Sequence, residues 1–153
     1  MASRDPGLTR SGRFDAFRLA AKGSSLTGEI DASTLERVAD RMASGAGPVR
    51  IAWRIEGAHD PVQRPMLCVT IEGSLPLVCQ RCLQPLALPI RQETRLLLAA
   101  DEAELESLDA EEPEVVLAST PIDARTLIED EILLSLPFVA RHAEGSCSPI
   151  LEE

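Results

Sequence analysis

Between Val49 and Cys79 the apolar residues recur with a period of two, and this pattern constrains the fold more than any other feature of the chain. Val49, Ile51, Trp53 and Ile55 point one way, while Arg50, Ala52, Arg54 and Glu56 point the other. That is the signature of a half-buried strand with arginines on its outer face. Gly57–Asp60 reads as a loop. Leu67, Val69 and Ile71 then form the inward face of a second strand. Gly73-Ser74 reads as a turn, after which Leu75, Leu77 and Cys79 continue extended. Pro85 and Pro89 forbid a helix in the segment that follows and favour an edge strand or bulge. The middle of the chain is therefore expected to be an antiparallel, curled β-meander, a partly open, barrel-like sheet.

Helical patterns flank it. Ser33-Thr34-Leu35-Glu36 fits a capping box, and Leu35, Val38, Ala39 and Met42 lie on one helical face before Gly45 and Gly47. This predicts a helix over about 32–43. Asp123 is placed to cap a second helix over 123–136, with Ala124, Leu127, Ile128, Ile132 and Leu136 on its buried side and Pro137 as the stop. Phe14–Leu19 is read as a short strand and Glu114–Leu117 as another. The fold class is α+β. Residues 1–13, polar and rich in Gly, Ser and Arg, form a flexible arm, and 14–151 form one domain.

The net charge is −10, from 25 acidic and 15 basic residues, and it is unevenly placed. Residues 1–100 carry 13 basic and 10 acidic residues, a balance of +3, whereas residues 101–153 carry 2 and 15, a balance of −13. The segment 101–114 alone has 8 acidic residues in 14 and is expected to be a solvated loop. The arginines of the first 100 residues keep a nucleic-acid role open despite the negative total. No apolar run of about 18 residues is present, so no membrane-spanning helix is expected. The N-terminus has no apolar h-region, which argues against a secretory signal and for a cytoplasmic protein. No Walker loop, GxGxxG or Ser/His/Asp order is found, and an enzyme is not expected.

The residue pair with the clearest chemistry is Cys79-x-x-Cys82. Two thiolates at that spacing can hold one tetrahedral zinc from a tight turn, and His142 with Cys147 would complete the set. Three readings stand side by side: a structural zinc site, a pair of partly buried thiols, and a redox dithiol. The redox reading lacks the helix that should follow such a pair, because Pro85 and Pro89 occupy its place. Cys68 falls on the strand face opposite Leu67, Val69 and Ile71 and reads as a small packed residue. Arg50, Arg54, Arg81, Arg91 and Arg95 suit phosphate contacts, so they are the candidate RNA-binding residues. Glu129, Asp130 and Glu131, consecutive on the second helix, point in different directions and suit partner contact better than two-carboxylate catalysis.

The stretch Leu77-Val78-Cys79-Gln80-Arg81-Cys82-Leu83, the acidic segment, Ile122-Asp123, Glu129-Asp130-Glu131-Ile132-Leu133-Leu134-Ser135-Leu136-Pro137, and then His142 and Cys147 resemble the YceD-like family of large ribosomal RNA subunit accumulation proteins. The similarity runs from about residue 14 to 151. It implies a bacterial, cytoplasmic, non-enzymatic factor needed for accumulation of large-subunit (23S) ribosomal RNA. Joined to the charge pattern, it leads to an expected partner set of rRNA precursor, large-subunit ribosomal proteins, or both. No membrane and no small-molecule substrate are expected. A protein-only adaptor or chaperone for a basic ribosomal protein, and a thiol or zinc redox sensor, are the alternatives.

Overall fold

The computed structural model describes residues 12–45, 47–108, 114–137 and 140–141. In chain order the elements are β1 (Arg13–Phe14), α1 (Ala16–Lys22), β2 (Ser25–Asp31), a 3-10 turn (Ala32–Thr34), α2 (Glu36–Ala39), β3 (Arg50–His59), β4 (Pro65–Val78), β5 (Pro85–Ala99), α3 (Glu102–Leu108), β6 (Glu114–Leu117), β7 (Ile122–Asp123) and α4 (Ala124–Ser135). The class is α+β. A five-stranded sheet runs in the order β2-β3-β4-β5-β6, antiparallel except for β6, which lies parallel to β5. The sheet is open, with β2 and β6 at its edges, so no barrel closes. β1 pairs separately with β7, Arg13 opposite Asp123.

Register places most of the apolar residues on one side, while Met66 and Leu97 pair on the other. Leu26, Ile55 and Val69 are cross-strand neighbours, as are Gly57, Leu67 and Leu96. With Ile51, Ile71 and Leu75 they make the inner face, on which α1 and α4 pack. Ile128 and Ile132 of α4 are fully buried there, each contributing roughly 2 kcal/mol through removal of apolar surface from water. Trp53 lies half-buried over its partner Gly28, as its inward position predicts.

Several expectations need correction. Phe14–Leu19 is not a strand. Only Arg13–Phe14 is extended, and Ala16–Lys22 is a helix capped by Asp15, whose side chain accepts from the Arg18 amide, and stopped by Gly23 at φ 61°. Ala16, Leu19 and Ala20 supply its buried side. The helix predicted over 32–43 is broken into a 3-10 turn and a four-residue helix, because Leu35 between them is extended (φ −94°, ψ 109°). Ser33 does not act as the cap. Asp31 takes that role, accepting from the Ser33 amide (3.0 Å), the Ser33 hydroxyl (2.7 Å) and the Val49 amide (3.0 Å). The hydrogen bond from Val49, followed by those from Ser33, holds the Asp31 carboxyl below its usual pKa. The second predicted helix is present as α4, with Asp123 accepting from the Arg125 and Thr126 amides.

The acidic segment is not a simple loop. Asp101 accepts from the Glu104 amide (2.8 Å) while Glu104 reaches back to the Ala100 amide (2.7 Å), a reciprocal cap that starts α3. Residues 109–113 of that segment, and all but the last two residues of the predicted arm, lie outside the described residues. The expected loop at Gly57–Asp60 is strand as far as His59. The chain then turns around Asp60, whose carboxylate accepts from the Val62 amide and from the Arg64 amide and Nε.

Gly73-Ser74 does not turn the chain either. β4 runs straight through it for 14 residues. Gly73 is there because a Cβ would stand 2.5 Å from Ile51 Cδ1. At Gly57 the constraint is tighter: a Cβ would meet the Leu19 carbonyl oxygen at 2.2 Å, where α1 crosses β3. Leu19 O is backbone, whereas Ile51 Cδ1 is the tip of a side chain that can rotate. Gly57→Ala is therefore expected to cost about 3 kcal/mol and Gly73→Ala about 1 kcal/mol, read by urea unfolding. An equal cost at the two sites would show that α1 yields as easily as a side chain.

Candidate functional site

The six residues joining β4 to β5, Cys79 to Gln84, are the loop of a long hairpin. β3 pairs β4 only as far as Glu72, so the ribbon from Gly73↔Ile90 to Val78↔Pro85 projects beyond the third strand. Two segments hold it from the side. The Ala43 amide donates to the Pro76 carbonyl (2.8 Å), and the Gln80 amide donates to the Ala140 carbonyl (2.8 Å).

The loop has a specific shape. The Cys79 amide donates to the Gln84 carbonyl (2.9 Å) and the Leu83 amide to the Cys79 carbonyl (2.7 Å). The Arg81 amide points back at Cys79 Sγ (3.4 Å). Leu83 takes a positive φ of 62°, which lets the chain leave the turn into β5. Cys79 is 0 % and Cys82 3 % exposed, while Gln80, Arg81, Leu83 and Gln84 are all exposed. Both sulfurs thus face inward from a tip whose other side chains face solvent. β5, not a helix, follows the pair. His142 and Cys147 lie outside the described residues. Among the described residues no group of three or more His, Cys, Asp or Glu is placed to hold a metal ion.

The five candidate arginines do not form one cluster. Arg50, Arg54, Arg91 and Arg95 share the outer face of the sheet, and Arg81 sits apart in the hairpin loop. Acidic side chains alternate with the four on that face. Arg50 pairs with Glu29 (3.2 Å) and Arg54 with Glu56 (3.6 Å). Arg91 stands opposite Glu72, and Arg95 stands opposite Cys68, flanked by the charges of Glu93 and Glu56. Cys68 is half-buried between these strands, and burial raises its thiol pKa. Four arginines and four glutamates on one face leave little net positive potential to attract a polyanion. Register across three strands is needed to see this, since Glu72 and Glu93 are far from Arg54 in sequence.

The acidic triplet on α4 is occupied within the fold. Glu129 accepts from the Arg37 amide (2.8 Å), supplying the cap that Leu35 cannot give α2. The Arg37 guanidinium then spans Asp130 (2.6 Å) and Glu129 (3.3 Å). Arg37 carried no signal in the sequence, because its partners are 92 and 93 residues away.

Glu131 faces the opposite way, into the α4–β5 interface, and is only 3 % exposed. Burial raises its pKa, and the charges of Glu114 and Asp130 add to this; hydrogen bonds from Thr94 and Gln92 partly offset it. Its Oε1 has no hydrogen-bond partner among the described residues. The ionised form is therefore disfavoured in the folded state, where the proton is held more tightly than in the unfolded chain. Stability from this group is fully present below the unfolded glutamate pKa, about 4.3, and falls as pH rises through the folded value. Asp31 has the opposite sign, and its contribution is lost as pH falls. Glu131→Gln is expected to gain melting temperature over the native protein as pH rises from 5 to 8, by a few degrees at the upper end. A difference independent of pH would show that Glu131 carries no ionisation penalty.

The profile of the family described as "Large ribosomal RNA subunit accumulation protein YceD" matches residues 67–151. That span starts in β4 and takes in the Cys79–Gln84 hairpin loop, α3, α4 and the tail. No solved structure matches the chain. No helix among the described residues is long and apolar enough to cross a membrane. Because the matched segment is more than half of the chain and contains both the paired cysteines and the acidic helix α4, the protein belongs to the YceD family of large ribosomal RNA subunit accumulation proteins.

Proposed function

We propose that this chain is a non-enzymatic factor of the bacterial cytoplasm that supports accumulation of large-subunit ribosomal RNA by holding a basic ribosomal protein. The family supplies the process. The unequal distribution of charge between the sheet and α3 supports the choice of partner. On the outer sheet face every candidate arginine has an acidic neighbour in the ladder, so its charge is largely spent within the protein. On α3, among the described residues, no ion pair is made: Glu102 and Glu106 are exposed, and no basic residue occurs in the sequence between Asp101 and Asp123. A surface of one sign selects partners of the other and speeds their encounter more than it adds affinity. Basic ribosomal proteins fit such a surface, and RNA is repelled by it.

Co-sedimentation with large-subunit precursor particles at low salt tests this reading. Glu102→Lys with Glu106→Lys is expected to weaken association about tenfold, the effect of losing a few exposed ion pairs and adding like-charge repulsion. Arg91→Glu with Arg95→Glu is expected to leave it within about twofold. Capture of a basic ribosomal protein should survive nuclease treatment. If the arginine variant loses binding and nuclease abolishes capture, the contact is with RNA and the protein reading fails.

A further inference from the structure

We infer that the β2 edge of the sheet is a self-association surface, on which a second copy of this chain adds its own β2 antiparallel, about a two-fold axis at Gly28. Four observations carry it. First, the edge is open. The Gly57 amide donates to the Ser24 carbonyl and the Ala32 amide to the Val49 carbonyl, bonds that close the β2–β3 ladder at its two ends. Bonding direction alternates residue by residue in an antiparallel pair, so Ser25, Thr27, Glu29 and Asp31 turn their backbone groups away from β3. The Asp31 carbonyl is taken by the Thr34 hydroxyl. The backbone groups of Ser25, Thr27 and Glu29 meet no partner among the described residues, and Thr27, Gly28 and Glu29 are exposed.

Second, this edge is unguarded while the opposite one is not. Sheets suppress pairing between edges with proline, lysine or bulges. Beyond the reach of β6, β5 carries Pro85 and Pro89. The Cys79 amide donates to the Gln84 carbonyl, so by the same alternation both prolines place their missing N–H on the side away from β4. β2, in contrast, has no proline, no basic residue and an unbroken register. Association through one edge only, with the same strand on both sides, closes as a dimer and does not grow into a fibre.

Third, β2 is complementary to itself. Full overlap of Ser25–Asp31 with its copy sets Gly28 against Gly28, Thr27 against Glu29, Leu26 against Ile30 and Ser25 against Asp31. No like charges face each other. Moving the axis to Glu29 sets that residue against its own copy, and moving it to Thr27 separates Ile30 from Leu26. Glycine also suits the axis, because it falls at a pair without direct hydrogen bonds, where the two backbones come closest.

Fourth, Trp53 lies at the same place. A Cβ on Gly28 would stand 2.9 Å from Trp53 Cζ2, so the indole reaches across the edge strand. Trp53 and Ile30 are only partly buried in the single chain. The two-fold axis brings a second indole beside the first, over the paired glycines, and covers both. α3 packs on β5 and β6 at the far side of the sheet, so the dimer leaves it open.

The test uses the full chain. It has one tryptophan and no tyrosine, so its fluorescence reports this site alone. Sedimentation velocity is expected to show monomer passing to dimer between about 1 µM and about 1 mM, the range of a small interface, with Trp53 emission moving to shorter wavelength over the same range. Thr27→Pro removes an outward N–H and spares the β3 ladder; it is expected to weaken the dimer at least about tenfold. Thr27→Glu sets like charges against Glu29 at two symmetric pairs and is expected to weaken it about tenfold. Adding Glu29→Lys makes those pairs opposite in charge and is expected to restore affinity to within about threefold. The charge variants decide the matter if Thr27→Pro disturbs the strand. A chain that stays monomeric at about 1 mM overturns the proposal. So does a dimer that Thr27→Glu leaves unchanged, or a loss that Glu29→Lys does not reverse. None of these readouts involves ribosomal particles, so the dimer and the partner proposal can fail separately.

Discussion

The pairing of β4 with β5 is the interaction on which the rest of the molecule depends. It runs without a break from Met66↔Leu97 to Val78↔Pro85. One end carries the remainder of the sheet and the core, and the other carries the cysteine turn. Register in this ladder decides which side chains meet α4 and which meet solvent, since a slip of one residue would exchange the two faces. Leu67, Val69 and Ile71 would then face water and the Arg91–Glu72 pair would be driven inward. Pro85 and Pro89 are tolerated because β6 covers β5 only from Leu96 to Ala99, leaving the proline-bearing stretch without a second described neighbour.

The charged residues divide into three groups with different work. Asp15, Asp31, Asp60, Asp101 and Asp123 turn the chain by accepting from its own amides. Glu129 and Asp130 bind α4 to α2 through Arg37. The outer sheet face carries a ladder in which arginines and glutamates alternate across strands, and such exposed pairs specify register and solubility more than they stabilise. Among the described residues α3 concentrates exposed acidic charge in a segment with no basic residue, so its location, and not the total of −10, is informative about partners.

What could be read from the chain follows the range of the forces involved. Alternation along β3 and β4 is local, and it correctly placed Ile51, Trp53, Ile55, Leu67, Val69 and Ile71 on the inner face. Asp123 as the cap of α4 is local too. α1 was missed although Asp15 and Gly23 mark both of its ends, because seven residues are too few to establish a helical period. Gly73 was misread because a glycine that admits a neighbouring side chain looks, in sequence, like one that admits a turn. For the candidate site, the Cys79–Cys82 spacing was plain. Its position at the tip of a hairpin, and its bond to Ala140, were not, since both arise from pairings made far away along the chain.

The cap that Glu129 places on α2 also imposes an order in time. α2 is a four-residue helix with no side-chain cap of its own, and the acceptor for its Arg37 amide is encoded 92 residues later. β1 likewise waits for β7, which directly precedes α4. Strands β2 to β5 can zip together as successive neighbours, but both margins of the N-terminal half stay open until α4 exists. Loop closure over such separations is slow compared with hairpin formation. The last described helix is therefore the closing piece of the fold, and a chain interrupted before it would leave α2 without its cap and the inner sheet face without its cover.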